Sequence, residues 1–240
     1  MRLGLRQRAS WLAHVFKATT QQHHLGLRAL LAAHIPTNGV IVDVGAHSGQ
    51  FAKLFAAMAA RGRVYAFEPS AYARSIMSVA LRLNRIGNVS VAPLGLSDAP
   101  GELVLHTPRK RWGSLGFGLA HLGEQSGGAG TFDQTVALTT LDAFAKDHGL
   151  ERLDFVKVDV EGWELRALKG AERCLRRFGP ALLLEVDDAY LGRAGDSAAG
   201  LFEWLAERGY CGFTIPSLSP ASGYLGPGDY LFVVGQRTLT

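Results

Sequence analysis

Cysteine is scarce in this sequence of 240 residues: the two thiols, Cys174 and Cys211, cannot form a disulfide framework or a four-cysteine metal site. So few thiols are typical of a reducing compartment, and we therefore expect a cytoplasmic location. The start lacks the continuous apolar stretch of a secretory signal, and no apolar run approaches the length of a membrane span. We therefore expect no transmembrane segment.

Acidic residues are absent from the first 39 positions, whereas the remainder of the chain has 20 bases against 21 acids. That near-neutral remainder disfavours a broad nucleic-acid-binding face, so no nucleic-acid partner is expected. The basic N-terminal part allows peripheral contact with a membrane surface or an acidic partner. An amphipathic helix packed on the domain is the alternative that we favour. The five bases of this part are Arg2, Arg6, Arg8, Lys17 and Arg28.

Hydrophobic residues make up 48% of the chain and charged residues 19%, which is enough apolar surface for one large α/β domain. We predict an N-terminal helical extension over residues 1–36 and a single domain over 37–240. From residue 40 onward, short apolar strands alternate with amphipathic helices, a pattern that indicates parallel strands with right-handed crossovers. Residues 107–130 interrupt it with a glycine-rich segment, which we interpret as a lid or substrate loop, or simply as a mobile loop.

A strand, a glycine turn and a helix follow one another near the start of this domain. Val40–Val44 is rich in β-branched residues, the turn contains Gly45 and Gly49, and the apolar residues from 50 to 60 have helical spacing. Such a turn lets a nucleotide cofactor approach the backbone closely. Glu68 and Pro69 end the next strand, and an acid at that position can accept hydrogen bonds from both ribose hydroxyls.

The residues of this turn distinguish between nucleotide cofactors. Turns that bind NAD typically have three glycines, whereas here Asp43 precedes the turn and one glycine is missing. S-adenosylmethionine has no phosphate, and its ammonium and sulfonium groups are cationic. An acidic residue at a strand end suits such a ligand. The sequence therefore predicts S-adenosylmethionine as the cofactor. A nicotinamide-dependent oxidoreductase and a noncatalytic nucleotide-binding protein of the same fold are the alternatives.

Acidic residues recur where the predicted strands end, and ligands of open α/β sheets bind at that edge. Methyl transfer to a hydroxyl benefits from a general base, for which Glu161 and Asp159 are the candidates, with Glu161 preferred. A divalent metal held by Asp159, Glu161 and Glu185 is a permitted alternative, although the site that we predict contains no metal. The predicted cofactor-binding residues are Asp43, Gly45, His47, Gly49, Glu68, Pro69, Ser97, Asp98 and Asp159.

The chain resembles the FkbM methyltransferases, a family of class I enzymes that use S-adenosylmethionine. The resemblance rests on segments 42–49, 66–69, 96–98, 140–142 and 157–164, of which the Lys-x-Asp-x-Glu-Gly-x-Glu stretch from Lys157 to Glu164 is the most family-specific. It implies a Rossmann-like, doubly wound, mostly parallel seven-stranded sheet with helices on both faces and an antiparallel last strand. It also implies O-methylation of a sugar, glycan or secondary-metabolite hydroxyl. One position differs from the family pattern: His47 stands where many members of the family have asparagine.

Overall fold

The computed structural model describes residues 5–108, 121–122 and 131–235, so most of the predicted 107–130 loop lies outside the described residues. The strands are β1 (Val40–Val44), β2 (Arg63–Phe67), β3 (Val89–Ala92), β4 (Gly95–Leu96), β5 (Gly101–Pro108), β6 (His121–Leu122), β7 (Thr131–Thr139), β8 (Phe155–Val158), β9 (Ala181–Val186), β10 (Tyr210–Thr214), β11 (Pro220–Ala221) and β12 (Gly228–Val234). The helices are α1 (Leu5–Thr20), α2 (Arg28–Leu31), α3 (Gln50–Met58), α4 (Ala71–Leu83), α5 (Leu141–Asp147), α6 (Glu164–Lys169), α7 (Glu172–Phe178), α8 (Asp188–Leu191) and α9 (Ala198–Ala206).

The main sheet confirms the Rossmann-like α/β class, but it has eight strands and not seven, in the order β11-β10-β12-β9-β8-β1-β2-β3. The additional strand, β11, is only two residues long and pairs antiparallel with β10 at the sheet edge. A pairing this short has no hydrophobic periodicity, so the sequence pattern does not reveal it. The antiparallel strand implied by the resemblance is β12, which lies between β9 and β10.

The central strands form where the sequence is mostly apolar, with one charged residue each in β1 and β8. Residues 41–44 of β1 and all of β8 are buried, as expected for parallel strands covered by helices. The apolar run that begins at Ala181 likewise forms a strand, β9, in which residues 181–184 are buried. The helical segment that follows the β8 turn is divided into α6 and α7, because the chain turns at Gly170. A Cβ atom at that position would lie 1.9 Å from the carbonyl oxygen of Ser97.

A second sheet of four strands, in the order β4-β7-β5-β6, lies beside the main one. In this sheet, the apolar residues 103–105 lie within β5. Its partner β7 pairs with it in antiparallel register over eight residue pairs, from Gly101 opposite Leu138 to Pro108 opposite Thr131. This pairing joins segments separated by the glycine-rich region, and local periodicity therefore does not predict it.

The N-terminal helix α1 packs on α4, which agrees with the packed-helix alternative. Val15 and Ala18 are buried against Tyr72 and Ile76, and the indole nitrogen of Trp11 donates a hydrogen bond to Ser75 Oγ at 2.8 Å. The opposite face leaves the side chains of Leu12 and Phe16 exposed. In the parts of the chain that are described, no helix combines the length and apolar character that crossing a membrane requires.

Candidate functional site

A cavity of about 310 Å³ opens at the carboxyl ends of β1, β2, β8 and β9, where the acids were predicted to meet. We call it the strand-end cavity. Four carboxylates, two histidines, one lysine and one glycine line it, together with small, apolar and uncharged polar residues. Its lining residues are His24, Gly45, Ala46, His47, Ser48, Gln50, Phe51, Glu68, Pro69, Ser70, Ala73, Leu105, Lys157, Asp159, Val160, Glu161 and Glu185.

The turn after β1, residues 45–49, has three residues in the left-handed region, with φ of 75° at Gly45, 49° at His47 and 87° at Gly49. A Cβ atom at Gly45 would lie 1.9 Å from the carbonyl oxygen of Asp159, so only glycine fits there. Histidine and asparagine both tolerate this backbone region better than most residues. The departure at His47 therefore preserves the turn. Gly49 does not line the cavity but precedes helix α3 as its N-cap.

Glu68 at the end of β2 holds the β1 turn in place. Its Oε2 atom accepts a hydrogen bond from the backbone N–H of His47 at 2.8 Å, and its Oε1 atom accepts one from Ser70 N–H at 2.7 Å. Burial raises the pKa of Glu68 to about 7, against the effect of these two amide donors. Each carboxylate oxygen keeps a further lone pair for a ligand hydroxyl. Because Glu68 also lines the cavity, its position fits the predicted contact with a ribose.

Lys157, in the middle of β8, is the main site residue that the sequence motifs did not predict. Its Nζ atom lies 3.0 Å from Asp159 Oδ2 and 3.7 Å from Asp43 Oδ1, and donates a hydrogen bond to the Gly45 carbonyl oxygen at 3.2 Å. Burial opposes its charge, but the two carboxylates outweigh burial and raise the pKa of Lys157. A lysine within an otherwise apolar buried strand was the signal that could have revealed it.

Asp43 lies behind Lys157 and does not line the strand-end cavity. It is fully buried on β1, directly opposite Lys157 in the β1–β8 register. Burial raises the pKa of Asp43 to about 6, while the nearby lysine opposes that shift. The structure therefore places Asp43 as a buried counter-charge for Lys157, which in turn faces the cavity.

The turn after β8, residues 159–162, brings together the two predicted catalytic carboxylates. Asp159 and Glu161 both line the cavity, and Glu185 joins them from the end of β9. Glu161 has a φ of 53°, which is unusual for a residue other than glycine. Gly162 follows with a φ of 106°, and a Cβ atom there would lie 2.2 Å from the Tyr190 carbonyl oxygen. The β8 turn is therefore strained and closely packed.

The three carboxyl groups of this cluster differ in charge. Burial, with the charge of Asp159 beside it, raises the pKa of Glu161 to about 7. A hydrogen bond with Asp159, together with burial, raises the pKa of Glu185 to about 8. Burial opposes ionisation of Asp159, but Lys157 and the bond from Glu185 outweigh it and lower the pKa of Asp159. At neutral pH, Glu185 is therefore mostly protonated, Asp159 is ionised, and Glu161 titrates.

The permitted metal site finds no support in the geometry. Among the described residues, no three or more histidine, cysteine, aspartate or glutamate side chains are grouped so that they could hold a metal ion. Within the acidic cluster, Asp159 instead contacts Lys157 and Glu185. The arrangement is a hydrogen-bonded acid pair with a lysine counter-charge.

The N-terminal part contributes His24, a site residue that the sequence motifs do not predict. Its ring stacks on Phe51 with the centroids 4.0 Å apart, and it lines the strand-end cavity. Gln22 Nε2 also donates a hydrogen bond to the Gln50 carbonyl oxygen at 2.8 Å. The segment between α1 and α2 thus forms one wall of the cavity. Nothing in the local pattern around His24 indicates this, because the contact depends on how α1 packs.

Ser97 and Asp98 lie elsewhere, in a separate cavity of about 470 Å³ beside Trp163 and Arg166. Ser97 Oγ accepts a hydrogen bond from Trp163 Nε1 at 3.1 Å and donates one to Asp98 Oδ1 at 2.9 Å. They follow β4, which pairs with β7 of the smaller sheet and not with the main sheet. The structure therefore does not bring these two predicted cofactor-binding residues to the strand-end cavity.

Comparison with known proteins places residues 43–211 within a family model described as the methyltransferase FkbM domain. Methyltransferase sdnD of Sordaria araneosa is 32% identical over 171 residues, 58% of this chain and 63% of that protein. The 2-O-methyltransferase NoeI of Sinorhizobium fredii is 25% identical over 148 residues, 58% of this chain and 59% of that protein. The chain thus spans less than two thirds of the length of these relatives.

Solved structures agree with the fold. A methyltransferase FkbM from Methylobacillus flagellatus KT superposes with a TM-score of 0.53 at 17% identity, covering 95% of this chain and 59% of that one. SMU.1697c from Streptococcus mutans, solved in complex with SAH, superposes with a TM-score of 0.50 at 12% identity, covering 89% of this chain and 97% of that one. At these identities the superpositions support the fold alone.

Proposed function

We propose that this chain, which belongs to the FkbM methyltransferase family, transfers a methyl group to a hydroxyl oxygen of a small molecule or glycan. S-adenosylmethionine is the cofactor. The hydroxyl acceptor rests chiefly on one observation: Glu161 faces the strand-end cavity with a pKa raised to about 7. Such a carboxylate can take the proton of a hydroxyl near neutral pH. The name of the relative NoeI, a 2-O-methyltransferase, points in the same direction.

The residues that line the cavity fit S-adenosylmethionine. Residues 45–48 of the β1 turn line the cavity, and Glu68 offers two carboxylate oxygens to the ribose hydroxyls. Asp159 is ionised and suits the cationic ammonium or sulfonium group. When bound, S-adenosylmethionine supplies an electrophilic methyl group.

The protein residues contribute position and proton transfer. We propose that Glu161 accepts the proton of the acceptor hydroxyl as the new bond to oxygen forms, an effect of about 10²–10⁴ on rate. Lys157 Nζ lies 3.0 Å from Asp159 Oδ2 and so holds the negative charge of Asp159 in a fixed position beside Glu161. Alignment of the acceptor with the methyl group contributes up to roughly 7–11 kcal/mol in well-oriented cases.

The first test is calorimetry of the purified chain with S-adenosylmethionine and, separately, with NAD. We expect saturable binding of S-adenosylmethionine and no binding of NAD. Binding of NAD without binding of S-adenosylmethionine would instead favour the nicotinamide-dependent oxidoreductase. A screen of hydroxylated and amine-bearing small molecules with a radiolabelled methyl donor then identifies the acceptor. Transfer of label to nitrogen and not to oxygen would contradict the proposal.

The second test concerns Glu161. We expect Glu161→Gln to lower turnover by about 10²–10⁴ while cofactor affinity stays nearly unchanged, because only proton transfer is lost. In the unaltered protein, turnover rises with pH through about 7, since deprotonation of Glu161 generates the base. Full activity of Glu161→Gln would show that Glu161 is not the catalytic base. If neither the unaltered protein nor Glu161→Gln transferred a methyl group, the noncatalytic alternative would be favoured.

We also propose a cytoplasmic location. Both cysteines are free thiols, Cys174 buried and Cys211 exposed, as a reducing compartment would keep them. Fractionation of cells that produce the tagged chain, with a periplasmic or secreted marker as the control, tests this. Recovery of the chain with that marker would refute it.

A further inference from the structure

The β8 turn requires something to hold it, because its backbone conformation is unfavourable. Glu161 has a φ of 53°, and a residue other than glycine in this region costs about 1–3 kcal/mol. Gly162, at a φ of 106°, is pressed against the Tyr190 carbonyl oxygen. Such strain persists only where surrounding contacts over-determine the conformation.

Glu164, the first residue of α6, makes contacts of that kind. Its Oε1 atom accepts hydrogen bonds from the backbone N–H groups of Val160 at 3.1 Å and Gly162 at 3.0 Å, on either side of Glu161. The side chain is buried, only 3% exposed, and its Oε2 atom has no hydrogen-bond partner among the residues that the structure describes. A buried carboxylate with one orphaned oxygen is costly for folding, which suggests that it has a role other than stability.

We propose that Glu164 is the positioning residue of the site: it clamps the backbone on both sides of Glu161 and so directs that carboxylate into the strand-end cavity. This inference rests on the proposed role of Glu161. Glu164 does not line the cavity, so its action on the reaction passes through the turn.

The clamp has an electrostatic consequence as well. Burial is the largest cause of the raised pKa of Glu161, followed by the charges of Asp159 and of Glu164. Removing the charge of Glu164 while keeping its shape should therefore lower the pKa of Glu161. Removing the whole side chain should also release the turn. The two effects can be separated by two substitutions.

The experiment compares Glu164→Ala and Glu164→Gln, with Glu172→Gln as the matched control. Glu172 begins the next helix, α7, and pairs with Arg208 at 2.9 Å, away from the strand-end cavity. The measurements are hydrogen exchange at the Val160 and Gly162 amides, NMR titration of the Glu161 carboxyl carbon, calorimetry with S-adenosylmethionine, and turnover. The first two measurements need no methyl acceptor.

In Glu164→Ala, we expect faster exchange at both amides and about a 100-fold loss of turnover, the scale of a misplaced catalytic group. Cofactor affinity should stay within about twofold, because Glu164 does not reach the cavity. In Glu164→Gln, the amide oxygen can still accept from both N–H groups, so exchange should remain slow. Turnover should recover to within about tenfold of that of the unaltered protein. The acidic limb of its pH profile should shift to lower pH, because the pKa of Glu161 is lowered. Glu172→Gln should behave as the unaltered protein.

Unchanged exchange and turnover in Glu164→Ala would overturn the inference. So would a parallel loss of folding and cofactor binding in both variants, since that would mark a merely structural role. Full activity of Glu161→Gln would refute the catalytic role of Glu161 whatever Glu164 does. An inactive Glu161→Gln together with an unaffected Glu164→Ala would refute only the clamp.

Discussion

The turns that follow β1 and β8 touch each other, yet they are built differently. The β1 turn places two of its three left-handed residues at glycines, Gly45 and Gly49, where that conformation carries no steric cost. The β8 turn places it at Gly162 and at Glu161, where a side chain must be accommodated. The first turn, in which the residue other than glycine is a histidine, is the less strained and offers mainly backbone atoms. The second is more strained and offers carboxylates.

The difference corresponds to two functions of the site, cofactor binding at the β1 turn and proton transfer at the β8 turn. A cofactor shared by many enzymes can be held by a backbone turn whose shape glycines make accessible. A base must reach one point in the cavity, and here it does so from a backbone conformation that the fold has to enforce. Lys157 links the two turns, because it donates a hydrogen bond to Gly45 and pairs with Asp159.

The largest effect is expected from removing that link. Lys157→Met should lower the free energy of unfolding by about 3–5 kcal/mol, because Asp43 is left as an uncompensated buried acid. Chemical denaturation at pH 7 measures this. The double variant Asp43→Asn/Lys157→Met should recover much of the loss. If the double variant is less stable than Lys157→Met alone, Lys157 does not stabilise the protein by compensating the charge of Asp43.

Breaking the β1 turn should have the next largest effect. Gly45→Ala puts a Cβ atom 1.9 Å from the Asp159 carbonyl oxygen at a φ of 75°. We expect a loss of roughly 1–3 kcal/mol in stability from the backbone conformation alone, and a clear loss of S-adenosylmethionine affinity. Gly87→Ala is the control, since nothing lies within 4 Å of its added Cβ atom. Calorimetry and thermal unfolding that fail to separate the two variants would contradict this.

Relaxing the strained turn should sharpen the comparison. Glu161→Asn should stabilise the protein by about 1 kcal/mol while lowering turnover, because asparagine tolerates the left-handed region. Thermal unfolding at pH 5, where Glu161 is mostly protonated, isolates the backbone effect. Glu161→Gln keeps the length and the strain and should show no such gain. Equal stability of the two variants would mean that the turn stores no strain.

The smallest effect is expected at the third left-handed residue of the β1 turn. His47→Asn should change stability by no more than about 0.5 kcal/mol and leave cofactor affinity nearly unchanged, since both residues suit a φ of 49° and the bond to Glu68 uses the backbone. His47→Val should instead destabilise, because a β-branched residue is a true outlier there. Thermal unfolding and calorimetry test both, and equal tolerance of valine would show that the turn is not restrictive.

The sequence alone was sufficient for features that depend on neighbouring residues. The β-branched run at 40–44, the glycines that follow it and Glu68 at the next strand end are local patterns, and the structure gathers the turn and Glu68 at one cavity. Short apolar runs likewise located the central strands, since burial on both faces leaves a nearly continuous apolar run without alternation.

Only the tertiary structure decided which distant groups meet. The register of β1 against β8 sets Asp43 beside Lys157, more than a hundred residues apart in the chain. The pairing of β4 with β7 diverts Ser97 and Asp98 to another cavity, and the packing of α1 brings His24 to the site. Local propensity carries no information about such contacts, because they depend on strand register and helix packing, which the whole chain determines.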